Sequence, residues 1–236
     1  MPEAVAAVRP RVKICGIVDV DDAVAAARLG ADFLGLNFHP PSPRSLDVEM
    51  AAQLVRETRA RLTGSASPRW VGVFVAQGPS EIEDIADRVG LDLMQFHGNY
   101  GPDDVAAVAS RAVVALRVRE RLDEIDLTPW LELDPWAFLI DARHPTLYGG
   151  SGHRWDVASL RASPLAERRT FIAGGLRPSN VAAAVAAARP WGIDLASGVE
   201  KPPTSSAAPG GRPRKDPELL ARLFEEIHHG STPSAA

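Results

Sequence analysis

Eight short apolar runs recur along the chain and constrain its fold more than any other feature. Each is four to seven residues long, and few contain the polar alternation of a half-exposed strand. Runs of this kind are typical of strands buried on both faces of a parallel sheet. The eight runs are residues 12–15, 33–38, 70–75, 91–96, 112–118, 137–141, 170–173 and 193–196.

Helical patterns separate these runs. Apolar residues at helical spacing recur at Ile82, Ile85, Ala86 and Val89, and again at Leu220, Leu223, Phe224 and Ile227. Asp19 and Asp47 stand where N-caps belong, and Gly30 and Gly90 where helices should stop. We expect the third helix to begin at Ser80, with Glu83 completing a capping box.

Strict alternation of strands and helices predicts parallel pairing with right-handed crossovers. Eight such units favour a single α/β domain, a closed (β/α)₈ TIM barrel, over an open doubly wound sheet. No Gly-x-Gly-x-x-Gly follows the first run, which also counts against the open sheet. The 236 residues suit one barrel, which we expect to span about residues 11–229.

The composition narrows the class of function. The chain is 45% hydrophobic and 24% charged, with a net charge of −4, so no global field attracts nucleic acid. A single cysteine excludes an internal disulfide and counts against a structural zinc cluster. Residues 1–10 lack the features of a signal peptide, and no apolar stretch is long enough for a membrane span. We therefore expect a cytoplasmic protein without nucleic-acid or membrane partners.

Three segments break the strand and helix pattern. Residues 63–69 are expected to form a surface loop, and residues 228–236 a solvated tail that is disordered from 230 onward. Residues 201–215 are rich in Pro, Gly and Ser, which predicts a mobile loop without regular structure. Because that loop follows the eighth strand directly, a role as a lid over the site remains an alternative to a plain surface excursion.

Two glycine-bearing strand ends predict a phosphate site. Gly174 and Gly175 follow the seventh run, and Ser197 and Gly198 follow the eighth. Glycine lets backbone N–H groups approach an anion closely, and many barrels bind phosphate at these two loops. The alternative is that these glycines only form tight turns.

Two further strand ends carry groups suited to acid–base chemistry. Cys15 ends the first run and Asp141 the sixth, so both should face the carboxyl-end mouth of the barrel. Burial would raise the pKa of Asp141 and favour a general acid, while Cys15 would need a positive neighbour to act as a base. A buried small hydrophobe at Cys15 and a cap or ion pair at Asp141 remain the alternatives.

Arg44 and His97 are candidate ligand contacts. Arg44 lies in a proline-rich loop after the second run, where it would bind a substrate carboxylate across the mouth from the phosphate site. The alternative is a solvated surface charge. His97 ends the fourth run. It would serve either as an electrophile or orienting donor, or only as a strand-end residue bonded to a backbone carbonyl.

Taken together, these residues resemble the phosphoribosylanthranilate isomerase family of tryptophan biosynthesis. The resemblance spans about residues 12–223. Its motifs are Lys13-Ile14-Cys15-Gly16-Ile17, Ser42-Pro43-Arg44, Val71-Gly72-Val73-Phe74, Gln95-Phe96-His97-Gly98, Tyr148-Gly149-Gly150-Ser151-Gly152, Ala173-Gly174-Gly175-Leu176, Ser197-Gly198-Val199-Glu200 and Lys215-Asp216.

The resemblance implies an Amadori rearrangement of N-(5-phosphoribosyl)anthranilate, with no metal or organic cofactor. By the family pattern Asp141 is the general acid, Cys15 the general base, and Arg44 the group that binds the anthranilate carboxylate. The backbone around Gly174-Gly175 and Ser197-Gly198 would bind the phosphate. Either a monomer or a homodimer is compatible with the sequence.

The chain departs from the family pattern in a few places. Phe96 stands where leucine is usual, and Ala196 where serine or asparagine is common. The segment between Glu200 and Lys215-Asp216 is longer than the short link that is usual in the family. Other phosphosugar barrels remain alternatives, namely a synthase using Lys13 or an epimerase holding a metal with His97, Asp141 and Asp194. A flavin-binding barrel or a non-catalytic phosphate-ligand binder is an alternative from a different class.

Overall fold

Eight parallel strands close into a barrel in the computed structural model, which describes residues 9–63, 67–118, 122–142, 157–202 and 211–230. Each strand pairs with the next along the chain, and the eighth pairs with the first. The barrel prediction is therefore confirmed, and the open sheet is excluded. The strands are β1 (Arg11–Cys15), β2 (Phe33–Asn37), β3 (Arg69–Phe74), β4 (Leu93–His97), β5 (Ala112–Val118), β6 (Ala137–Ala142), β7 (Thr170–Ala173) and β8 (Gly192–Leu195).

Helices lie between the strands, but they differ in length around the barrel. The α-helices are α1 (Val20–Leu29), α2 (Val48–Arg61), α3 (Pro79–Val89), α4 (Pro102–Val105), α5 (Thr128–Leu133), α6 (Pro178–Ala188) and α7 (Pro217–Gly230). Between β6 and β7 the described residues form only short 3₁₀ turns. No helix in the described ranges is long and apolar enough to cross a membrane.

The helix ends follow the predicted caps in four places. Asp19 accepts a hydrogen bond from the backbone N–H of Asp21, and Asp47 accepts one from Met50, both at 2.8 Å. Gly30 and Gly90 end α1 and α3 in the left-handed conformation. These four predictions are confirmed.

The predicted start of the third helix is wrong. The helix begins at Pro79, with Gly78 as its N-cap and no side-chain cap. Proline has no N–H to lose at the first helical position and its φ is already helical, so the helix starts one residue before Ser80. The expected capping box between Ser80 and Glu83 therefore does not form.

The barrel interior has an apolar floor and a polar upper layer. Inward-facing Phe33, Val71, Leu93, Val113 and Phe171 fill the half nearest the amino ends of the strands. A second apolar cluster lies between the outside of the sheet and the helices. Polar side chains occupy the carboxyl-end half, and the candidate site is built on them.

The three irregular segments are only partly described. Residues 64–66, 203–210 and 231–236 lie outside the described residues, and Arg69 already belongs to β3. α7 continues to Gly230, so the predicted tail starts later than expected. The ends of the predicted loop 201–215 are ordered, because Glu200 and Lys215 form an antiparallel bridge.

Candidate active site

A cavity of about 420 Å³ opens at the carboxyl ends of the strands. It brings together seven of the eight predicted site residues, which come from β1, β4, β6, β7 and β8 or the loops after them. They are Cys15, His97, Asp141, Gly174, Gly175, Ser197 and Gly198. Arg44 does not line this cavity.

The loops after β7 and β8 touch one another. A Cβ atom on Gly198 would lie 1.8 Å from the carbonyl oxygen of Leu176, so only glycine fits there. Gly174 and Gly175 both have positive φ, at 95° and 63°. The Asn180 side chain donates to the Gly175 carbonyl at 3.0 Å and fixes this turn at the start of α6. The two loops thus form one rigid backbone surface beside a helix N-terminus, where an anion is favoured.

Cys15 is partly exposed to the cavity at the end of β1. Burial raises the pKa of its thiol by desolvation, and the charge of Asp194 raises the pKa further. The charge of nearby Lys13 lowers it. Lys13 and Cys15 are two residues apart on β1 and therefore face the same side of the sheet, so both side chains point into the barrel. The thiol therefore has a buried ammonium group beside it, as a base at this position would need.

Lys13 forms a buried ion pair with Asp194 of β8. Their Nζ and Oδ1 atoms are 3.0 Å apart, and the side chains are 1% and 9% exposed. Burial alone would lower the pKa of Lys13, but the charges of Asp194 and Cys15 hold the pKa above its usual value. Lys13 therefore keeps its positive charge inside the barrel. Lys13 was named above only as the lysine of an alternative synthase, and its ion pair with Asp194 was not predicted.

Asp141 and His97 meet on the far side of the cavity. His97 Nε2 lies 3.6 Å from Asp141 Oδ2, and His97 Nδ1 lies 3.4 Å from Gln95 Nε2. Two polar side chains thus adjoin His97, as an orienting role would require. Gln95 was not among the predicted site residues, although its position two residues before His97 points it into the barrel.

Arg117 is a second residue that sequence reasoning missed. It is the penultimate residue of β5, lies opposite Asp141 in the strand register and lines the cavity. Its Nε atom is buried without a hydrogen-bond partner, as is the Oε1 atom of Gln95. Buried polar atoms without partners are costly, and because both residues line the cavity, a polar ligand there could satisfy them. A charged residue inside an otherwise apolar strand was the available sequence signal.

The structure places Arg44 differently from the prediction. Its Nε and Nη2 atoms donate to Oε1 and Oε2 of Glu200, each at 2.6 Å. Glu200 lies just after the Ser197-Gly198 loop, so Arg44 stands beside β8 and not across the mouth from it. The proline-rich loop directs the side chain over Gly16, whose Cβ would lie 2.4 Å from Arg44 Cδ. The pairing links loops 156 residues apart, which local sequence patterns do not reveal.

Glu200 is itself held by a second cation. Lys215 Nζ donates to Glu200 Oε1 at 2.8 Å and to the Ala196 carbonyl at 3.1 Å. Burial favours a higher pKa for Glu200, but the hydrogen bonds from Arg44 and the charge of Lys215 keep the pKa below its usual value. Burial also lowers the pKa of Lys215. The group carries two cations and one carboxylate, which leaves one positive charge at the edge of the site.

The described residues thus offer an anion cradle, a carboxyl group, a thiol and several cations around one cavity. Within the described ranges, no three His, Cys, Asp or Glu side chains are grouped so as to hold a metal ion. The arrangement is suited to moving protons on a small anionic molecule.

Comparison with known proteins agrees with this arrangement. A profile of the family described as "N-(5'phosphoribosyl)anthranilate (PRA) isomerase" matches residues 12–204. The N-(5'-phosphoribosyl)anthranilate isomerase of Pelobacter propionicus is 38% identical over 94% of this chain and 99% of its own.

Solved structures give the same result. The phosphoribosyl anthranilate isomerase of Thermotoga maritima has a TM-score of 0.74 and 32% identity, over 93% of this chain and 99% of its own. A structure of the isomerase in complex with reduced 1-(o-carboxyphenylamino)-1-deoxyribulose 5-phosphate has a TM-score of 0.71 and 29% identity, with the same coverage. The chain therefore belongs to the phosphoribosylanthranilate isomerase family.

Proposed function

We propose that this protein converts N-(5'-phosphoribosyl)anthranilate into 1-(2-carboxyphenylamino)-1-deoxyribulose 5-phosphate, a step of tryptophan biosynthesis. The observation that carries the proposal is that one cavity is lined by Cys15, Asp141 and both glycine loops. An aldose-to-ketose shift needs a proton donor, a proton acceptor and a fixed substrate. Family membership supplies the substrate class.

The phosphate would bind to the backbone of the loops after β7 and β8. Gly174, Gly175 and Gly198 permit a close approach to the main chain, and α6 begins at Pro178 directly behind it. Hydrogen bonds from backbone N–H groups and the positive end of the helix both favour a dianion there. The sugar would then extend over the centre of the cavity.

Asp141 would act as the general acid. Its proton goes to the ribose ring oxygen, the bond from that oxygen to the anomeric carbon breaks, and the nitrogen lone pair forms a Schiff base. His97, at 3.6 Å from Asp141 Oδ2, would orient the carboxyl group for this transfer. We therefore propose a positioning role for His97.

Cys15 would act as the general base. Its thiolate removes the proton from the adjacent sugar carbon, and the electrons neutralise the Schiff base to give an enolamine. Tautomerisation, with a proton delivered to the former anomeric carbon, then gives the ketone. The raised pKa of Cys15 makes the thiolate scarcer but a stronger base, and Lys13 stabilises the thiolate that forms.

Arg44 would bind the anthranilate carboxylate, as the family pattern implies, through the N–H groups that Glu200 does not occupy. Arg117 would contribute an N–H to the same ligand, because its Nε is buried without a partner beside Asp141. The reaction as proposed needs no cofactor, takes place in the cytoplasm and involves no nucleic acid or membrane.

The decisive experiment is a fluorescence assay that follows the loss of phosphoribosylanthranilate. We expect robust turnover by the wild type and a decrease of about 10²- to 10⁴-fold in Cys15→Ser, because hydroxyl is a far weaker acid than thiol. Thermal unfolding should give a similar melting temperature for both proteins, so that the loss of turnover does not come from unfolding. Absence of activity in a well-folded wild type would overturn the proposed function, and near-normal turnover in Cys15→Ser would overturn the role of the thiol.

A further inference from the structure

Arg44 uses only one edge of its guanidinium group to bind Glu200. The Nε and Nη2 atoms donate to the two carboxylate oxygens in a parallel, two-pronged pair. A guanidinium has five N–H bonds in a planar fork, so this pair leaves two N–H bonds on Nη1 and one on Nη2. Among the described residues, the side chain of Arg44 hydrogen-bonds to Glu200 alone. A second carboxylate would fit the remaining edge.

The stem of Arg44 is fixed as well as its head. It lies against Gly16, where a Cβ atom would come within 2.4 Å of Arg44 Cδ. Gly16 directly follows Cys15, so the arginine passes over the residue next to the proposed base. The guanidinium is therefore held beside the end of β1 that carries Cys15.

Glu200 is held just as firmly from its other side. Its side chain is 7% exposed, and Lys215, at 1%, donates to the same oxygen that binds Arg44 Nε. Backbone hydrogen bonds join the chain after Glu200 to the chain around Lys215. They run from Lys201 N–H to the Arg214 carbonyl and from Asp216 N–H to the Val199 carbonyl. The long insertion therefore returns Lys215 to Glu200 in spite of its length.

We propose that Glu200, fixed by Lys215, is a positioning residue that presents the free Nη1/Nη2 edge of Arg44 to the carboxylate of the substrate. This inference rests on the proposed function and deepens it. The charges agree with it, since Arg44 and Lys215 together exceed Glu200 by one positive charge. A second carboxylate would complete the neutralisation without displacing the first.

Two other roles for Glu200 predict different effects on ligand binding. If Glu200 instead blocked Arg44 until the substrate displaced it, removing the charge of Glu200 would strengthen binding of a carboxylate ligand. If Glu200 only stabilised the loop, its loss would weaken every ligand alike. Binding of two ligands that differ only in the carboxylate separates these cases.

The experiment measures the dissociation constants of two probes by calorimetry. The first is reduced 1-(o-carboxyphenylamino)-1-deoxyribulose 5-phosphate, and the second is the same molecule without its carboxyl group. We expect Glu200→Gln to weaken the first probe about tenfold and the second less than about twofold. Arg44→Met should cause a similar selective loss, and the double variant should lose little more, because both changes remove one interaction.

Two further variants complete the design. Glu225→Gln removes an exposed glutamate of α7 and should leave both constants unchanged. Should Glu200→Gln fail to fold because Lys215 is left buried and unpaired, Glu200→Gln/Lys215→Met removes both charges and should show the same selective loss.

Equal weakening of both probes, tighter binding of the first probe, or no change in either would overturn the inference. A wild type that binds neither probe would instead overturn the proposed function, and this inference with it. The kinetic counterpart is an increase in KM larger than the decrease in kcat, because the positioned group binds substrate away from the reacting bond.

Discussion

The barrel has a cavity at each end, and the two cavities are similar in size. The one at the amino ends of the strands measures about 350 Å³, and the one at the carboxyl ends about 420 Å³. The first is lined by arginine and tryptophan side chains, including Arg11, Arg69, Trp136 and Trp191. Size and the presence of cations therefore do not distinguish the two ends.

The polar groups at the amino end bind one another. Asp32 accepts hydrogen bonds from Arg9 Nη1 at 2.9 Å, Arg11 Nη1 at 2.8 Å and the backbone N–H of Val12 at 2.8 Å. The Arg69 guanidinium lies over the ring of Trp136, 4.6 Å from its centroid. These contacts close the bottom of the barrel and stabilise it.

The polar groups at the carboxyl end are not all satisfied within the protein. Arg117 Nε and Gln95 Oε1 are buried without partners, and Arg44 keeps an unused edge. Unsatisfied buried groups cost free energy, and a ligand that binds them recovers it. The difference between the two ends is thus one of hydrogen bonding, which matches the division between stability and catalysis in this fold.

Replacing an acid at the carboxyl end should lower activity but not stability, and replacing one at the amino end should do the reverse. Asp141→Asn, at the carboxyl end, should have the largest effect. We expect kcat/KM to fall by about 10²- to 10⁴-fold, the usual contribution of a general acid, because an amide does not donate a proton to the ring oxygen. The melting temperature should change little, since Asp141 is partly exposed. Steady-state kinetics and thermal unfolding test both statements, and activity within threefold of wild type would contradict the assigned role.

Replacing a glycine at each end of β8 should separate binding from stability. In Gly198→Ala the new methyl group meets the Leu176 carbonyl, so the loops after β7 and β8 must move apart. Overpacking of this kind costs about 1–3 kcal/mol, and we expect the affinity for the reduced product analogue to fall about 10- to 100-fold.

The control for that change is Gly192→Ala at the opposite end of the strand. Its methyl group would approach the ring of Phe171 within 2.6 Å, in the apolar floor. It should lower the melting temperature and leave ligand affinity unchanged. Equal affinity losses in both variants would show that the β8 loop does not specifically bind the phosphate.

Asp32→Ala should lower stability without affecting turnover. It leaves the Val12 N–H and two arginines without their acceptor, which should lower the free energy of unfolding by about 1–3 kcal/mol. Denaturant unfolding measures the change, and kcat/KM should remain within about twofold of wild type. A large loss of activity in the folded variant would refute the division of roles between the two ends.

The sequence was a good guide to the strands because they are continuous apolar runs. The fifth and seventh were predicted residue for residue, and the others agree within about two residues. Cys15 and His97 could be assigned to the site because they end strands, and parallel strand ends meet at one mouth. The same reasoning applies to Gly174 and Gly198.

The contacts that organise the site could not be predicted in this way. The position of Arg44 depends on the path of a loop and on Glu200, 156 residues away. Lys215 is separated from Glu200 by an insertion whose composition suggests a mobile loop, yet backbone pairing joins its ends. Such contacts follow from tertiary packing, which local periodicity does not encode.

The smallest effect concerns the titration of Cys15, which can be followed alone because it is the only cysteine. Burial raises the pKa of its thiol in spite of the nearby Lys13 and Lys215. The alkylation rate with iodoacetamide should therefore reach half its maximum above about pH 8.5, the ordinary value for a thiol. The reduced product analogue should slow the reaction by covering the cavity.

A cysteine at the other end of the barrel provides the comparison. Ser67 is exposed and lines the amino-end cavity, so Ser67→Cys in a Cys15→Ser background should titrate near pH 8.5. The midpoint of Cys15 should be the higher of the two, because only the carboxyl-end thiol is desolvated. A midpoint for Cys15 at or below that of the Ser67→Cys thiol would mean that the two lysines outweigh burial. Only a midpoint below neutral pH would mean that the free protein holds Cys15 largely as thiolate before the substrate arrives.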